Sequence, residues 1–433
     1  MTRPALVRTI GRWTLTGLVL NGVLGSAIYG LPSVVGGRLG SAAPLAWLLA
    51  AVLIGVIIAC FAEVASRFSG AGGPYLYAHA TFGRFAGVQT GWMAYLARLT
   101  ASAANAVLFV TYLGEFWPGS AGRGAGLAIL VLLIGGLAIV NYRGVKQGAG
   151  VSTAFATIKL VSLLIFVALG LGWVASHGAA PAAPPMEGME PWLASLLALV
   201  FAYGGFEAAL MPLAEAKNPQ RDAPVALFVG LLAVTVVYTL GQAVVTLTLS
   251  DPVEAARPLA ASARVFLGAP GAAFMALCAL LSTFGYLAGA MVNVPRLTFA
   301  MAEQRDLPLQ FAAVHPAFRT PYVSIVFYAG LVFVLAASGS FLQNLTLSAV
   351  SRLVTYGLVC AALPVLRRRD GTPGAPSAAA FTLPGGPIFA ALGLLGMALV
   401  ATQVSAREGI IMAVVVALAT LHWLRVKDPA PSP

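Results

Sequence analysis

Twelve long apolar runs limit what this chain can fold into. A helix needs about 20 apolar residues to cross about 30 Å of hydrocarbon. Runs of that kind lie near residues 15–36, 44–67, 85–115, 124–141, 152–174, 192–214, 224–249, 270–301, 322–339, 343–365, 387–405 and 408–425. Only 9% of the residues are charged, whereas globular domains carry about 25%. We therefore expect an all-α integral membrane protein with twelve transmembrane helices in contact with the lipid bilayer.

The basic residues predict the orientation of these spans. Of the 25 basic residues, seventeen fall on the side of the N-terminus, five on the opposite side and three inside spans: Arg98, Lys159 and Arg352. Basic loops stay in the cytoplasm, so both termini should be cytoplasmic in a multi-pass protein of the inner membrane. The net charge of +11 then reflects topology and not a nucleic-acid partner, and no partner protein is evident.

The first span contains residues that do not suit a continuous helix. Residues 25–32 read GSAIYGLP, and Gly and Pro cost about 1 and 3 kcal/mol relative to Ala inside a helix. A broken helix in a bilayer is tolerated only where its freed backbone groups are buried in protein or meet a ligand. The pattern predicts a break that helps to form a solute-binding site.

The sixth span has a similar irregularity at Gly204 and Gly205, which follow Phe201, Ala202 and Tyr203. Paired breaks in corresponding spans are typical of transporters built from inverted repeats. We expect a 5+5 inverted repeat with broken helices 1 and 6 and two further helices. The predicted segments are a tail (1–14), the first repeat (15–175), an outer linker (176–191), the second repeat (192–369), a flexible cytoplasmic linker without a role in function (370–386), the last two helices (387–425) and a tail (426–433).

Three segments resemble the amino acid/polyamine/organocation transporters, a family with the leucine-transporter fold. They are GSAIYGLP, the run FAEVASRFSGAGGPYLYAHATFGRFAGVQTGW at 61–92, and FAYGGFEAALMPLAEAKNPQRDAP at 201–224. Weaker matches cover 293–308 and 315–321. The sequence differs from the family pattern at Ala27, where glycine is usual, at Tyr29, where Phe is more common, and at Ala216, where an acidic residue is common. The resemblance implies a bacterial proton-coupled amino acid permease.

The chemistry of the two breaks suits a zwitterionic amino acid. The N–H groups around Gly25, Ser26, Ala27, Ile28 and Tyr29 suit a carboxylate, because the start of a half-helix carries partial positive charge. Carbonyls near Leu24 or at the second break suit the ammonium group. Alternatively, the glycines only allow close helix packing. The substrate-binding residues predicted at the second break are Phe201, Ala202, Tyr203, Gly204 and Gly205.

Two further sets of residues are candidates for the substrate pocket. The resemblance implies that an aromatic residue at the position of Phe201 closes over the substrate, although packing is an alternative. In the third span, Ser102 and Asn105 belong to a small patch with polar side chains. These residues either line the side-chain pocket or only pack against other helices.

Lys159 lies near the middle of the fifth span and is a candidate for proton coupling. Burying a charge in a membrane costs at least about 2.5 kcal/mol, unless the side chain reaches back to the interface. The resemblance implies that the lysine ammonium replaces a sodium ion, with Ser282 or Thr283 of the eighth helix assisting. We expect protons and no sodium, with no other cofactor. Protonation would bind the broken first helix to the fifth.

Other charged residues leave alternatives open. Glu207 either transfers protons and couples the site to the gates, or makes a structural hydrogen bond to the unwound backbone. Glu63, Arg67, Glu215 and Arg221 are either ion pairs of an inner gate or, as we favour, plain interfacial charges. Arg98 and Arg352 need partners that the sequence does not identify. Since Glu207 is the only acidic residue near the breaks, a neutral substrate is favoured over a cationic one.

The leading hypothesis is a secondary active amino acid transporter that works by alternating access. Proton symport is favoured over exchange of an amino acid for another amino acid or an amine. An enzyme is disfavoured because there is no HExxH motif and no histidine in mid-span. No metal is expected either, since Cys60, Cys278 and Cys360 match no metal spacing. A channel is disfavoured because the breaks belong to one chain with two unlike halves. A transporter-like nutrient sensor remains an alternative.

Overall fold

The described residues of the computed structural model form helices joined by short connections. The structure describes residues 10–68, 72–144, 149–181, 184–210, 216–372 and 376–426, with the backbone alone at 121 and at 149–156. The helices are α1 (Arg12–Val23), α2 (Ala27–Leu39), α3 (Ala43–Ser66), α4 (Pro74–Phe82), α5 (Arg84–Leu113), α6 (Arg123–Tyr142), α7 (Ala149–His177), α8 (Glu190–Ala202), α9 (Phe206–Ala209), α10 (Pro219–Thr248), α11 (Pro258–Glu303), α12 (Tyr322–Ser338), α13 (Phe341–Arg368), α14 (Gly386–Ala401) and α15 (Ala406–Arg425).

The length and composition of these helices indicate a multi-span membrane protein. Within the described ranges, nine helical segments are long and apolar enough to cross a membrane, and α12 and α14 are shorter apolar helices. The same ranges contain no β-strand, only an isolated bridge between Ile10 and Ala216. Many large apolar side chains face outward, for example Leu132 at 75% exposure, which is expected where lipid is the solvent. The predicted all-α class is confirmed.

Both predicted breaks are present in the structure. The first separates α1 from α2 at Leu24, whose ψ of 75° leaves the helical region. The second separates α8 from α9, and Gly205 adopts a left-handed φ of 111° that only glycine enters without strain. A further bend divides α11 at Gly268, where φ is 66°. The two breaks thus fall beside Gly25 and at Gly204 and Gly205, as predicted, whereas the bend at Gly268 was not predicted from the sequence.

The core that surrounds the breaks is built from helices that are distant in sequence. Helix α3 packs along α10, α13 packs along α5, and α1 lies against α9 and α10. Buried apolar residues of α1, α2, α3, α8, α10 and α13 form one continuous cluster. Residues of α5, α6, α11 and α12 form a second cluster. The two breaks therefore lie inside protein, which satisfies the condition for irregular backbone in a membrane.

The predicted flexible linker is docked against α3, which corrects that expectation. Residues 373–375 lie outside the described residues. On either side of them, Arg67 donates hydrogen bonds to Asp370, and the Ser377 hydroxyl donates to the Arg67 carbonyl over 2.8 Å. The Leu383 N–H donates to Glu63 Oε2 over 2.8 Å. These contacts order the linker, because each one satisfies a buried or partly buried polar group at the end of α3.

Candidate functional site

The first break is held open by a tyrosine from α10. The Tyr238 hydroxyl donates to the Val23 carbonyl over 2.7 Å and accepts from the Gly25 N–H over 3.3 Å. Tyr238 is fully buried and packs edge-on against Trp47 at 5.0 Å between ring centroids. One hydroxyl thus replaces two helical hydrogen bonds that the break removes. Sequence reasoning did not find Tyr238, because nothing local links it to the first span.

The second break is held by the carboxylate of Glu207. Its Oε2 atom accepts from the Gly205 N–H over 2.8 Å and from the Tyr356 hydroxyl over 3.0 Å. Its Oε1 atom lies 3.5 Å from Nε of Arg352. This is the structural hydrogen bond that the sequence left as one of two alternatives, and it supplies the missing partner of Arg352.

The two breaks lie in direct contact with each other. A Cβ atom on Gly205 would lie 2.2 Å from the Gly22 carbonyl oxygen, and a Cβ atom on Gly22 would lie 2.8 Å from the Gly205 carbonyl oxygen. A Cβ atom on Gly204 would lie 1.7 Å from Nη1 of Arg352. Glycine is therefore needed at all three positions for the backbones and the guanidinium to approach this closely.

A small cavity lies between the breaks. Its volume is about 20 Å³, which is room for about one water molecule. Its walls come from α1, α2, α5, α8, α11 and α13 and consist of Gly22, Val23, Gly25, Ser26, Ala27, Ala101, Asn105, Phe201, Ala202, Gly204, Tyr286 and Arg352. An amino acid would fit only if these helices moved apart.

Unsatisfied polar groups point to a ligand at this cavity. Ser26 Oγ and Asn105 Oδ1 are buried and have no hydrogen-bond partner among the described residues. The Ser26 side chain also leaves the N-terminus of α2 without a side-chain cap. Since the first N–H groups of a helix have no intrahelical acceptor, the start of α2 can bind an anionic group.

The structure brings most of the predicted substrate residues to this cavity. Gly25, Ser26, Ala27, Phe201, Ala202, Gly204 and Asn105 line it. Gly205 faces Gly22 instead.

Four other predicted residues direct their side chains elsewhere. The Tyr203 hydroxyl donates to the Trp47 carbonyl over 3.0 Å, and Tyr29 stacks edge-on with Tyr112. Ile28 lies next to Gly241, and the Ser102 hydroxyl bonds to that of Tyr328 over 2.6 Å.

Lys159 connects α7 to the first half of the broken helix. Its Nζ atom lies 3.5 Å from Asn21 Oδ1 on α1, and the residue is 4% exposed. The side chain is thus directed into the protein instead of reaching back to an interface. Of the two predicted helpers, Thr283 donates its hydroxyl to the Ala279 carbonyl of its own helix over 2.9 Å. The Ser282 hydroxyl is buried without a partner among the described residues.

A second charged cluster lies at the end of α3. Arg367 donates to Glu63 Oε1 over 2.7 Å and to Oε2 over 2.5 Å, and Arg67 donates to Oε1 over 3.3 Å. Glu63 is fully buried. The expectation of plain interfacial charges is therefore wrong for Glu63 and Arg67. The hydrogen bond from Arg67 also lowers the pKa of Asp370 below its ordinary value. Glu215 lies outside the described residues.

Fold and site together define a class of protein. Many membrane-spanning helices, two of them broken around a shared polar cavity, are the architecture of secondary transporters. The family model described as "Amino acid permease" matches residues 10–424, so the chain belongs to the amino acid permease family.

Individual relatives support the same assignment. A serine/threonine exchanger of Bacillus subtilis is 28% identical, covering 84% of each chain. A methylthioribose transporter of the same organism is 28% identical, covering 84% of this chain and 82% of its own. A branched-chain amino acid permease, again of B. subtilis, is 25% identical and covers 90% and 87%. These relatives are named as transporters and not as enzymes.

Proposed function

We propose that this permease is a secondary active transporter that takes up a neutral amino acid together with protons. The observation that carries the proposal is the cavity between the two breaks, with the N-terminus of α2 and the unpaired Ser26 hydroxyl on its wall. The helix N-terminus suits the substrate carboxylate. Carbonyls at the ends of α1 and α8 suit the ammonium group.

The charges around the cavity favour a neutral substrate over a cationic one. None of the residues described as lining it is acidic, and Glu207 accepts hydrogen bonds from Gly205 and Tyr356 beside Arg352. A lysine or arginine side chain would find no counter-charge on these walls. Burying such an unpaired charge is costly.

Protons are the favoured coupling ion because of the position of Lys159. Its ammonium group lies next to Asn21 on α1, the helix that ends at the first break. Protonated Lys159 would hold α1 against α7, and loss of the proton would loosen this contact and favour opening. A fixed ammonium group also supplies a positive charge in the membrane interior without bound sodium.

Alternating access is the proposed mode of transport. The 20 Å³ cavity requires helix movement before an amino acid can enter. We infer twelve spans, with α1/α2 and α8/α9 as the broken first and sixth, arranged as two inverted repeats of five followed by α14 and α15. In this arrangement both termini lie in the cytoplasm and the chain resides in the inner membrane.

Exchange of one amino acid for another is the second candidate. It is favoured by the similarity to the serine/threonine exchanger. Uptake of a panel of labelled amino acids into proteoliposomes, with proton and sodium gradients imposed in turn, separates the two. Symport requires accumulation driven by a proton gradient and unaffected by sodium. Counterflow without any gradient dependence would favour exchange, and sodium-driven uptake would contradict the role given to Lys159.

A further inference from the structure

Arg352 of α13 forms one wall of the proposed substrate cavity. It lines the cavity between the breaks and also a second one of about 10 Å³, on the side of Gly72 and Tyr75. Its guanidinium carbon lies 5.7 Å from the centre of the Phe201 ring. Arg352 thus borders both cavities, including the one proposed to bind the substrate.

The guanidinium of Arg352 has hydrogen-bonding capacity left over. Nη1 donates to the Phe201 carbonyl over 3.3 Å. The Nε–H has no hydrogen-bond acceptor among the described residues, although Glu207 Oε1 lies 3.5 Å away. An arginine carries five N–H donors. Leaving a buried donor without an acceptor costs free energy. A ligand with a hydrogen-bond acceptor is therefore favoured next to Arg352.

Arg352 already has a carboxylate partner in Glu207. The pair is buried on both sides, at 6% and 9% side-chain exposure, and Glu207 is also hydrogen-bonded to Gly205 and Tyr356. A carboxylate side chain on the ligand would be buried beside Glu207, a like charge, and would also have to be desolvated. The pair favours an uncharged oxygen as the acceptor.

Asn105 carries a hydrogen-bond acceptor on the wall of the same cavity. Its amide nitrogen donates to the Ala101 carbonyl over 2.8 Å, which fixes the orientation of the amide because a flipped amide would set two oxygens against each other. The Oδ1 atom then remains as a buried acceptor without a partner. Arg352 and Asn105 both line this cavity, one with N–H donors and the other with a free acceptor, so together they suit a group that both accepts and donates.

We propose that Arg352 and Asn105 form the side-chain subsite of the transporter and that the subsite selects small amino acids with a side-chain hydroxyl. The proposal rests on the proposed function, which supplies the carboxylate and ammonium positions. A hydroxyl accepts from the guanidinium and donates to Asn105. The methyl group of Ala27 on the same wall reduces the room for a bulky side chain.

The test compares pairs of amino acids with the same shape. Serine and threonine are matched by 2-aminobutyrate and valine, which carry a methyl group in place of the hydroxyl. Each competes with uptake of a labelled neutral amino acid into proteoliposomes that contain the full chain. Serine should compete at a roughly tenfold lower concentration than 2-aminobutyrate, since a hydrogen bond to a charged group has at least that effect.

Two variants assign this preference to the subsite. The ratio of the 2-aminobutyrate concentration to the serine concentration needed for equal competition should fall to about one in two variants. They are Asn105→Ala, which keeps the ion pair, and the double variant Arg352→Met with Glu207→Gln, which removes both members of the pair. Thr111→Val is the matched control on α5, because its hydroxyl donates to Val107 of the same helix, and it should keep the ratio.

The outcomes separate the subsite from the proposed function. Two results would overturn the subsite alone, provided that amino acid uptake is robust. One is equal competition by serine and 2-aminobutyrate in the unmodified protein, and the other is an unchanged preference for serine in Asn105→Ala. Uptake of no amino acid would overturn the proposed function and the subsite together.

Discussion

At the scale of single residues, Gly205 sets how closely the two breaks approach each other. Its φ is 111°, and an added Cβ atom would meet the Gly22 carbonyl oxygen at 2.2 Å. Gly205→Ala should lower the free energy of unfolding by about 2 to 4 kcal/mol through overpacking and backbone strain. Thermal unfolding of the purified protein in detergent measures this loss.

The control for this variant is a glycine without neighbours. Gly135 in α6 has nothing within 4 Å of the position of an added Cβ atom, so Gly135→Ala should be neutral or stabilise by up to about 1 kcal/mol. Equal unfolding temperatures for the two variants would show that the close approach of the breaks is not as described.

Ala27 determines the room beside the start of α2. Its methyl group lies on the cavity wall, and the residue is 2% exposed. Ala27→Gly should admit larger neutral amino acids and weaken the discrimination against them by about tenfold, which corresponds to about 1.4 kcal/mol. Competition assays with a size series from alanine to phenylalanine measure this change. An unchanged size preference would show that Ala27 does not contact the substrate.

The roles of residues that change the backbone of their own helix were predictable from the sequence. The roles of residues whose partners lie on distant helices were not. Gly25, Gly204 and Gly205 stand out because helix chemistry disfavours them wherever they occur. Tyr238 and Arg352 do not, because their roles depend on contacts with α1 and α8 that only the folded chain creates. The pairing of Glu207 with Arg352 could have been proposed from two opposite charges in two spans, but many other pairings were equally compatible.

At the scale of elements, the linker before α14 is tied to α3 by charge. Asp370→Asn should weaken this contact, since Arg67 would lose an ionised partner. Hydrogen exchange at neutral pH should then rise at residues 376–383. Arg368→Gln is the matched control, because Arg368 is a neighbouring exposed charge. Equal exchange in both variants would contradict the docking.

The same contact predicts a pH dependence. The pKa of Asp370 is lowered in the folded protein, first by its hydrogen bond from Arg67. A lowered carboxyl pKa stabilises the folded contact above the ordinary value of about 3.9, and this stabilisation is lost as the pH falls through the lowered pKa. Protection of residues 376–383 should therefore persist from pH 7 to about pH 4 and decrease only below it.

The elements themselves were predictable to different degrees. The apolar runs gave the helices because their length is set by the bilayer. The linker was misjudged because its Ala, Pro and Gly content is typical of flexible chain. The buried Glu63 carboxylate that holds it through the Leu383 N–H leaves no trace in that composition.

At the scale of the whole molecule, the proposed orientation predicts which surfaces face outward. Phe116 follows α5 and Leu309 follows α11, and their side chains are 50% and 61% exposed. The three native cysteines are buried, so they give little background. A membrane-impermeant thiol reagent on intact cells should label Phe116→Cys, and should label Leu309→Cys only after permeabilisation. The reverse pattern would contradict the orientation of the termini.

In the proposed function, Lys159 couples protons to movement of the broken first helix. Lys159→Met keeps the length of the side chain and removes its charge next to Asn21. The most direct measurement is uptake of the preferred amino acid into proteoliposomes with an inward proton gradient, before and after a protonophore is added. The unmodified protein should accumulate substrate only while the gradient lasts, and Lys159→Met should reach equilibrium without accumulation. Accumulation by Lys159→Met with an unchanged dependence on the gradient would contradict the account.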